Sequence, residues 1–163
     1  VDVYYVDIPK RNDIEIFLGA RRSGKTSRAI EVAKENPYAF IIVPNINMKY
    51  TYPKNLHNRI YTIKQEENSY FKHTPYIIDE PELIPYEKLK EIDEDDIILI
   101  VGTPVYRKIG EKSRFKEMCE KYEYTYHKTR MYNKDVNEAR KRLSHIAYMT
   151  EFLCAFISLP EGV

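Results

Sequence analysis

Apolar residues along this chain come in short unbroken runs, separated by stretches in which they recur every three or four positions. Residues 15–19, 39–43, 76–79 and 96–101 are runs of the first kind. Unbroken rather than alternating runs suit strands covered on both faces, as in a parallel sheet with helices on either side. Residues 59–63 are a shorter, half-polar candidate strand. Residues 122–132 alternate and are rich in Tyr and Thr, which predicts a partly exposed strand. Helical spacing covers residues 25–35, where Ile30 and Ala33 share a face and Asn36-Pro37 forms a stop. Short helices are expected over 81–92 and 112–121. Further on, Asp135 and Glu138 have the spacing of a capping box, and Ile146, Met149, Leu153, Phe156 and Ile157 fall on one helical face. The pattern predicts one α/β domain over residues 1–163: three layers, a mostly parallel central sheet and a helical C-terminal segment from about 135.

Composition narrows the classes. A chain of 163 residues has room for one domain, and 43% hydrophobic against 31% charged residues argues against global disorder. The net charge of +1 means that any basic surface must be local. No apolar run approaches the roughly 18 residues needed to cross a bilayer, and the opening Val1-Asp2-Val3-Tyr4-Tyr5 lacks the layout of a signal peptide. Cys119 and Cys154 have no metal-ligand spacing. A cytoplasmic protein with reduced thiols, without a membrane partner, is expected.

The most specific signal follows the first apolar run. Gly19-Ala20-Arg21-Arg22-Ser23-Gly24-Lys25-Thr26 satisfies every fixed position of G-x-x-x-x-G-K-[ST], the phosphate loop. Glycines let backbone N–H groups curl round phosphates, and the following helix turns its positive end towards them. Lys25 would reach the β- and γ-phosphates of ATP, and the Thr26 hydroxyl would ligate Mg²⁺. The plainer alternatives are a loop that binds phosphate without turning it over, or an ordinary glycine turn.

Asp79 and Glu80 end the run Tyr76-Ile77-Ile78. In an open parallel sheet, ligands sit beyond the carboxyl ends of the strands. Asp79 is therefore expected beside the phosphate loop, holding Mg²⁺, with Glu80 as the base for an attacking water. The alternative is a pair of acids at a helix N-terminus, where the dipole favours negative charge. Gly102-Thr103-Pro104 closes another apolar run, where Thr103 either bonds near the γ-phosphate or belongs to a simple strand-ending turn. In order, these motifs describe an ATPase with an additional strand between the phosphate-loop strand and the acidic strand, the catalytic-glutamate branch of the P-loop fold. Asn133-Lys134-Asp135 lacks the N-K-x-D spacing of a GTPase.

Taken together, residues 18–26, Ile41-Ile42-Val43-Pro44, Ile77-Ile78-Asp79-Glu80 and Val101-Gly102-Thr103-Pro104 resemble the ATPase domain of the viral terminase large subunit, the motor that packages DNA. The end of the chain, with Thr150-Glu151-Phe152-Leu153 and then Glu161-Gly162-Val163, is similar to the stretch that leads from this domain into the family's nuclease domain. The resemblance implies an ATP-driven motor that moves double-stranded DNA through a portal, as a homo-oligomeric ring, in the host cytoplasm. It also implies that Arg21 stabilises charge on the γ-phosphate and that Gly102 and Thr103 couple hydrolysis to movement. The family's adenine-reading glutamine has no counterpart here; Tyr4, Tyr5 and Arg11 are the candidate substitutes. The family's tryptophan-bearing stretch is also missing, as the chain has no Trp.

Translocation requires cations that face the DNA backbone. Arg107, Lys108, Lys112, Arg114 and Lys116 follow Thr103 with Glu111 as the lone acid among them. They would bind backbone without sequence preference, or Arg107 or Arg114 would act on a neighbouring subunit's nucleotide; the alternative is a solvated basic face. Lys134, Arg140, Lys141 and Arg142 read as a solvated helix. His57, His73, His127 and His145 have no ligand spacing. Two other functions fit the same motifs: a helicase-like remodelling ATPase, and a nucleotide-gated assembly protein with little hydrolysis.

Overall fold

The computed structural model describes residues 9–63 and 74–160. Tyr4, Tyr5, His73 and Glu161-Gly162-Val163 lie outside the described residues. The strands are β1 (Arg11–Gly19), β2 (Phe40–Ile42), β3 (Ile60–Tyr61), β4 (Tyr76–Asp79), β5 (Ile97–Gly102), β6 (Arg107–Lys108), β7 (Tyr122–His127) and β8 (Ser158–Leu159). The helices are α1 (Lys25–Glu35), α2 (Tyr86–Lys90), α3 (Arg114–Lys121), α4 (Asn133–Arg142) and α5 (His145–Glu151).

Six strands form one sheet in the order β3-β2-β4-β5-β1-β7, and every pairing is parallel. The unbroken apolar runs follow from this. Alternate residues of each central strand enter opposite cores, because side chains of a strand alternate in direction. Ile16, Leu18, Ile42, Ile78 and Ile100 pack with Phe115, Met118 and Leu89 on one face. Phe17, Ile41, Val43, Ile77, Leu99 and Val101 pack with Ala29, Val32 and Ala33 of α1 on the other. Both faces being covered leaves no room for polar alternation. The sheet order also puts β5 between β1 and β4, the additional strand that the motif order implied.

Four local expectations are corrected. The helix expected over 81–92 splits into a 3-10 turn, Pro81–Leu83, and α2, because Pro85 drives Ile84 into an extended conformation (φ −98, ψ 132). The strand expected over 122–132 stops at His127, which pairs with Gly19 at the end of β1, so nothing remains to pair with. The capping box of Asp135 and Glu138 does not form: α4 starts at Asn133, with Tyr132 as a cap that makes no side-chain bond. Asp135 lies instead in the first turn, where its charge complements the helix dipole. Finally, the long apolar helical face is interrupted. Ser144 caps α5 by accepting from the Ala147 N–H, and α5 ends at Glu151, leaving Leu153 exposed and Ser158 in a strand.

That last strand was not legible in the sequence. β8 pairs in parallel with β6, and Arg107 N–H donates to the Ile157 carbonyl (3.0 Å). The chain thereby returns to the segment after Thr103. No helix among the described residues is long and apolar enough to cross a membrane.

Candidate nucleotide site

Residues 19–26 turn sharply from β1 into α1. Gly24, the N-cap, has φ +97, a left-handed conformation that glycine adopts without penalty. Arg22 also has positive φ (53). The turn is held from several sides. Ala20 N–H donates to the His127 carbonyl (2.9 Å), Arg21 N–H to the Glu151 carbonyl (2.7 Å), and Arg130 N–H to the Arg22 carbonyl (2.9 Å). The Thr103 hydroxyl, at the end of β5, donates to the Gly19 carbonyl (2.6 Å). At Gly19 a Cβ would come 2.3 Å from Ser23 Oγ, so only glycine fits there.

The first-turn N–H groups of α1 have no carbonyl inside the helix to donate to, and Gly24 supplies no side-chain cap. They open onto a recess of ≈ 320 Å³ lined by Arg22, Ser23, Gly24, Lys25, Thr26 and Ser27. Ser23 is buried and its hydroxyl has no partner among the described residues. A helix N-terminus with unpaired donors, flanked by a lysine, is a ready anion site.

Asp79 ends β4 and Glu80 follows it, with Glu80 N–H reaching across to the Val101 carbonyl of β5 (2.9 Å). Lys25 Nζ lies 3.7 Å from Glu80 Oε1 and donates to the Ala20 carbonyl (3.1 Å). Lys25, just after β1, and Glu80, just after β4, thus meet across one intervening strand. Glu80 adopts φ 55, ψ 60, a left-handed conformation rare outside glycine, in the 3-10 turn that follows. Burial pushes its pKa up to about 7; Lys25 opposes the rise and Asp79 adds to it. Asp79 is fully buried and accepts a hydrogen bond from the Tyr52 hydroxyl. Burial raises its pKa too, while Tyr52 and Lys25 work against the rise.

Among the described residues, no group of three or more His, Cys, Asp or Glu side chains converges as a metal cage. The Thr26 hydroxyl lines the recess and the Asp79 carboxylate ends β4; each is a hard oxygen donor of the kind Mg²⁺ takes, commonly one or two carboxylates together with substrate phosphates.

The remaining candidates divide. Arg21 is not among the residues lining the recess: its side chain is half exposed, 3.9 Å from Glu151 Oε2. Gly102 is buried at the end of β5, and a Cβ there would meet Pro81 Cδ at 2.8 Å, next to the turn carrying Glu80. Arg107 is committed to Glu82, bonding its carbonyl (2.8 Å) and carboxylate (3.3 Å), while Ser113 donates to the same carboxylate (2.5 Å). Arg114 pairs with Glu94 (2.6 Å) and Glu117 (3.4 Å). Lys112 lies over the Tyr86 ring (5.7 Å), and Lys108 is exposed. Of the histidines, His57 bonds the Tyr52 carbonyl (2.9 Å) and His127 stacks on Phe17.

Three residues at the site had no signal in the sequence. Tyr52 comes from a 3-10 region with no apolar period. Glu151 meets the loop through its backbone carbonyl, which no side-chain pattern reveals. Arg130 follows β7, and a Cβ on Gly24 would come 2.7 Å from its Cζ and Nη2.

Compared with known proteins, the chain matches no family model, no curated protein and no solved structure.

Proposed function

We propose that this chain is a Mg²⁺-dependent ATPase of the P-loop class, acting as the ATPase domain of a motor that translocates double-stranded DNA. The observation that carries the reading is the approach of Lys25 to Glu80, 3.7 Å apart, beside the unpaired N-terminus of α1. A phosphate-binding lysine with a basic carboxylate beside it is what hydrolysis of a phosphoanhydride requires.

In this reading the triphosphate enters the recess above residues 22–27, with backbone N–H groups and Lys25 taking its charge. Mg²⁺, held by Asp79 and Thr26 together with the phosphates, supplies charge neutralisation. Glu80 accepts the proton of the water whose oxygen attacks the γ-phosphorus, as the bond to the β–γ bridging oxygen breaks and ADP leaves. Its raised basicity suits that role, since a base works best with a pKa near the operating pH. Thr103 spans from β5 to the loop and is suited to passing a change at the phosphates to the β6–β8 segment.

Translocation, and with it the portal partner and ring assembly, rests on the order of the motifs along the chain. The deciding experiment is phosphate release from Mg·ATP by wild type and Glu80→Gln, over a range of protein concentration, with and without double-stranded DNA. Turnover that disappears in Glu80→Gln and rises with DNA supports the reading. Near-normal turnover in the variant overturns the role of Glu80, and tight ATP binding without any release favours a nucleotide-gated assembly protein.

A further inference from the structure

Arg21 is the arginine that the terminase resemblance points to, yet its guanidinium faces Glu151, and its backbone N–H is fixed to the Glu151 carbonyl. A different arginine covers the loop. The Arg130 guanidinium lies against Gly24, with Cζ and Nη2 2.7 Å and Nη1 3.1 Å from where a Cβ on that glycine would be. The whole flat group, rather than one tip, is laid over the residue that starts α1.

The placement is not accidental to a long mobile side chain. The Arg130 backbone N–H is bonded to the Arg22 carbonyl (2.9 Å), so the turn between β7 and α4 is fastened to the phosphate loop itself. Met131 N–H donates to Thr129 Oγ1 (3.2 Å), which shapes the same turn. Electrostatically the position is unfavourable on its own. Gly24 marks the positive end of α1, where cations are repelled, and Arg22 and Lys25 already line the recess. Among the described residues no carboxylate lies within ion-pair distance of Arg130. Arg130 is itself exposed and open to a ligand in the recess, and guanidinium pairs with phosphate through parallel hydrogen bonds, at a point where helix N–H groups already converge.

We infer that Arg130 is a phosphate-binding residue of the nucleotide site, supplied by the same chain from the turn between β7 and α4. The inference rests on the ATP-binding reading above. A side chain at Gly24 would displace the guanidinium from the loop, in addition to straining the backbone at φ +97.

The test is equilibrium binding of ATP and of ADP to the full chain, for wild type, Arg130→Ala, Arg130→Lys, Lys25→Ala and Arg21→Ala, with thermal melting of each to confirm folding. Arg130→Ala is expected to weaken ATP binding at least tenfold. Arg130→Lys should recover only part of this, because lysine keeps the charge but loses the planar fork. Arg21→Ala should weaken binding less than Arg130→Ala does. If wild type binds ATP, Lys25→Ala abolishes binding and Arg130→Ala changes nothing, the inference is overturned while the ATP reading stands. Tighter binding by Arg130→Ala would also overturn it, making the guanidinium a plug over the loop. No ATP binding by wild type would remove both together.

Discussion

The Tyr52 hydroxyl donates a hydrogen bond to the Asp79 carboxylate, and both side chains are buried, 4% and 2% exposed. A 3-10 segment on one side of the sheet thereby fixes the carboxylate at the end of β4. A buried carboxylate deprived of its donor has a desolvated oxygen with nothing to replace it. Tyr52→Phe is therefore expected to destabilise the protein by about 1–3 kcal/mol at neutral pH. Urea unfolding checks this, and a cost below a few tenths would mean that water takes over the bond.

Glu80 gives the stability of the nucleotide-free protein a definite pH dependence. Its folded pKa, about 7, lies above the unfolded value near 4.5, so the folded state holds the proton more tightly. Its stabilising contribution is complete below about pH 4.5 and is lost as pH rises towards 7. Asp79, which is also raised, acts in the same direction at Glu80's side, while Lys25 opposes both. Glu80→Gln removes the titrating group. It should be more stable than wild type above pH 7, by on the order of a few kcal/mol, with the gap closing towards pH 4.5. Denaturation midpoints across that range provide the check, and a gap that stays constant with pH would refute the assignment.

Much of this arrangement was legible in the residues, for a physical reason. Strands buried on both faces must be apolar throughout, so β1, β4 and β5 appear as runs, and a turn that packs Gly19 against Ser23 and holds Gly24 at φ +97 needs its glycines at fixed places. Tyr52, Arg130 and the Glu151 carbonyl were not legible, because they reach the site by tertiary folding from segments without a periodic pattern. The C-terminal region was misjudged for a related reason. Its apolar spacing fits a helix, but Ser144 restarts the helix, and Ser158 and Leu159 pair with β6 instead. Nor could charge counting show that Arg107 and Arg114 belong to ion pairs with acids distant in sequence, Glu82 and Glu94.

Those ion pairs separate Arg107 and Arg114 from the exposed Lys108. The Glu82 side chain is 1% exposed and relies on Arg107, Ser113 and the Val105 N–H. Removing one partner of a buried pair leaves an uncompensated charge, so Arg107→Ala should cost about 3 kcal/mol of stability. Lys108→Ala touches an exposed side chain and should leave stability within about 0.5 kcal/mol. If the chain binds DNA through this segment, Lys108→Ala should instead reduce the salt dependence of binding by about one phosphate contact. Thermal melts and salt-titrated binding to double-stranded DNA distinguish the two. Equal stability losses in both variants would contradict the ion-pair account.

The bond from Thr103 to the Gly19 carbonyl (2.6 Å) connects residues 84 apart in sequence, at the carboxyl ends of the neighbouring strands β5 and β1. It is partly buried, so its net contribution to stability is modest, about 0.5–1.5 kcal/mol. Thr103→Val keeps the β-branched shape and removes only the donor. A merely structural role predicts that loss of stability and nothing more. A coupling role predicts that ATP hydrolysis falls while ATP affinity stays within about twofold, the pattern of an interaction that matters in the transition state more than in the bound ground state. Thr103→Ser, which restores the hydroxyl, should recover the turnover. Rescue by serine and not by valine would tie the effect to this one hydrogen bond; equal turnover in all three proteins would confine Thr103 to holding the turn in shape.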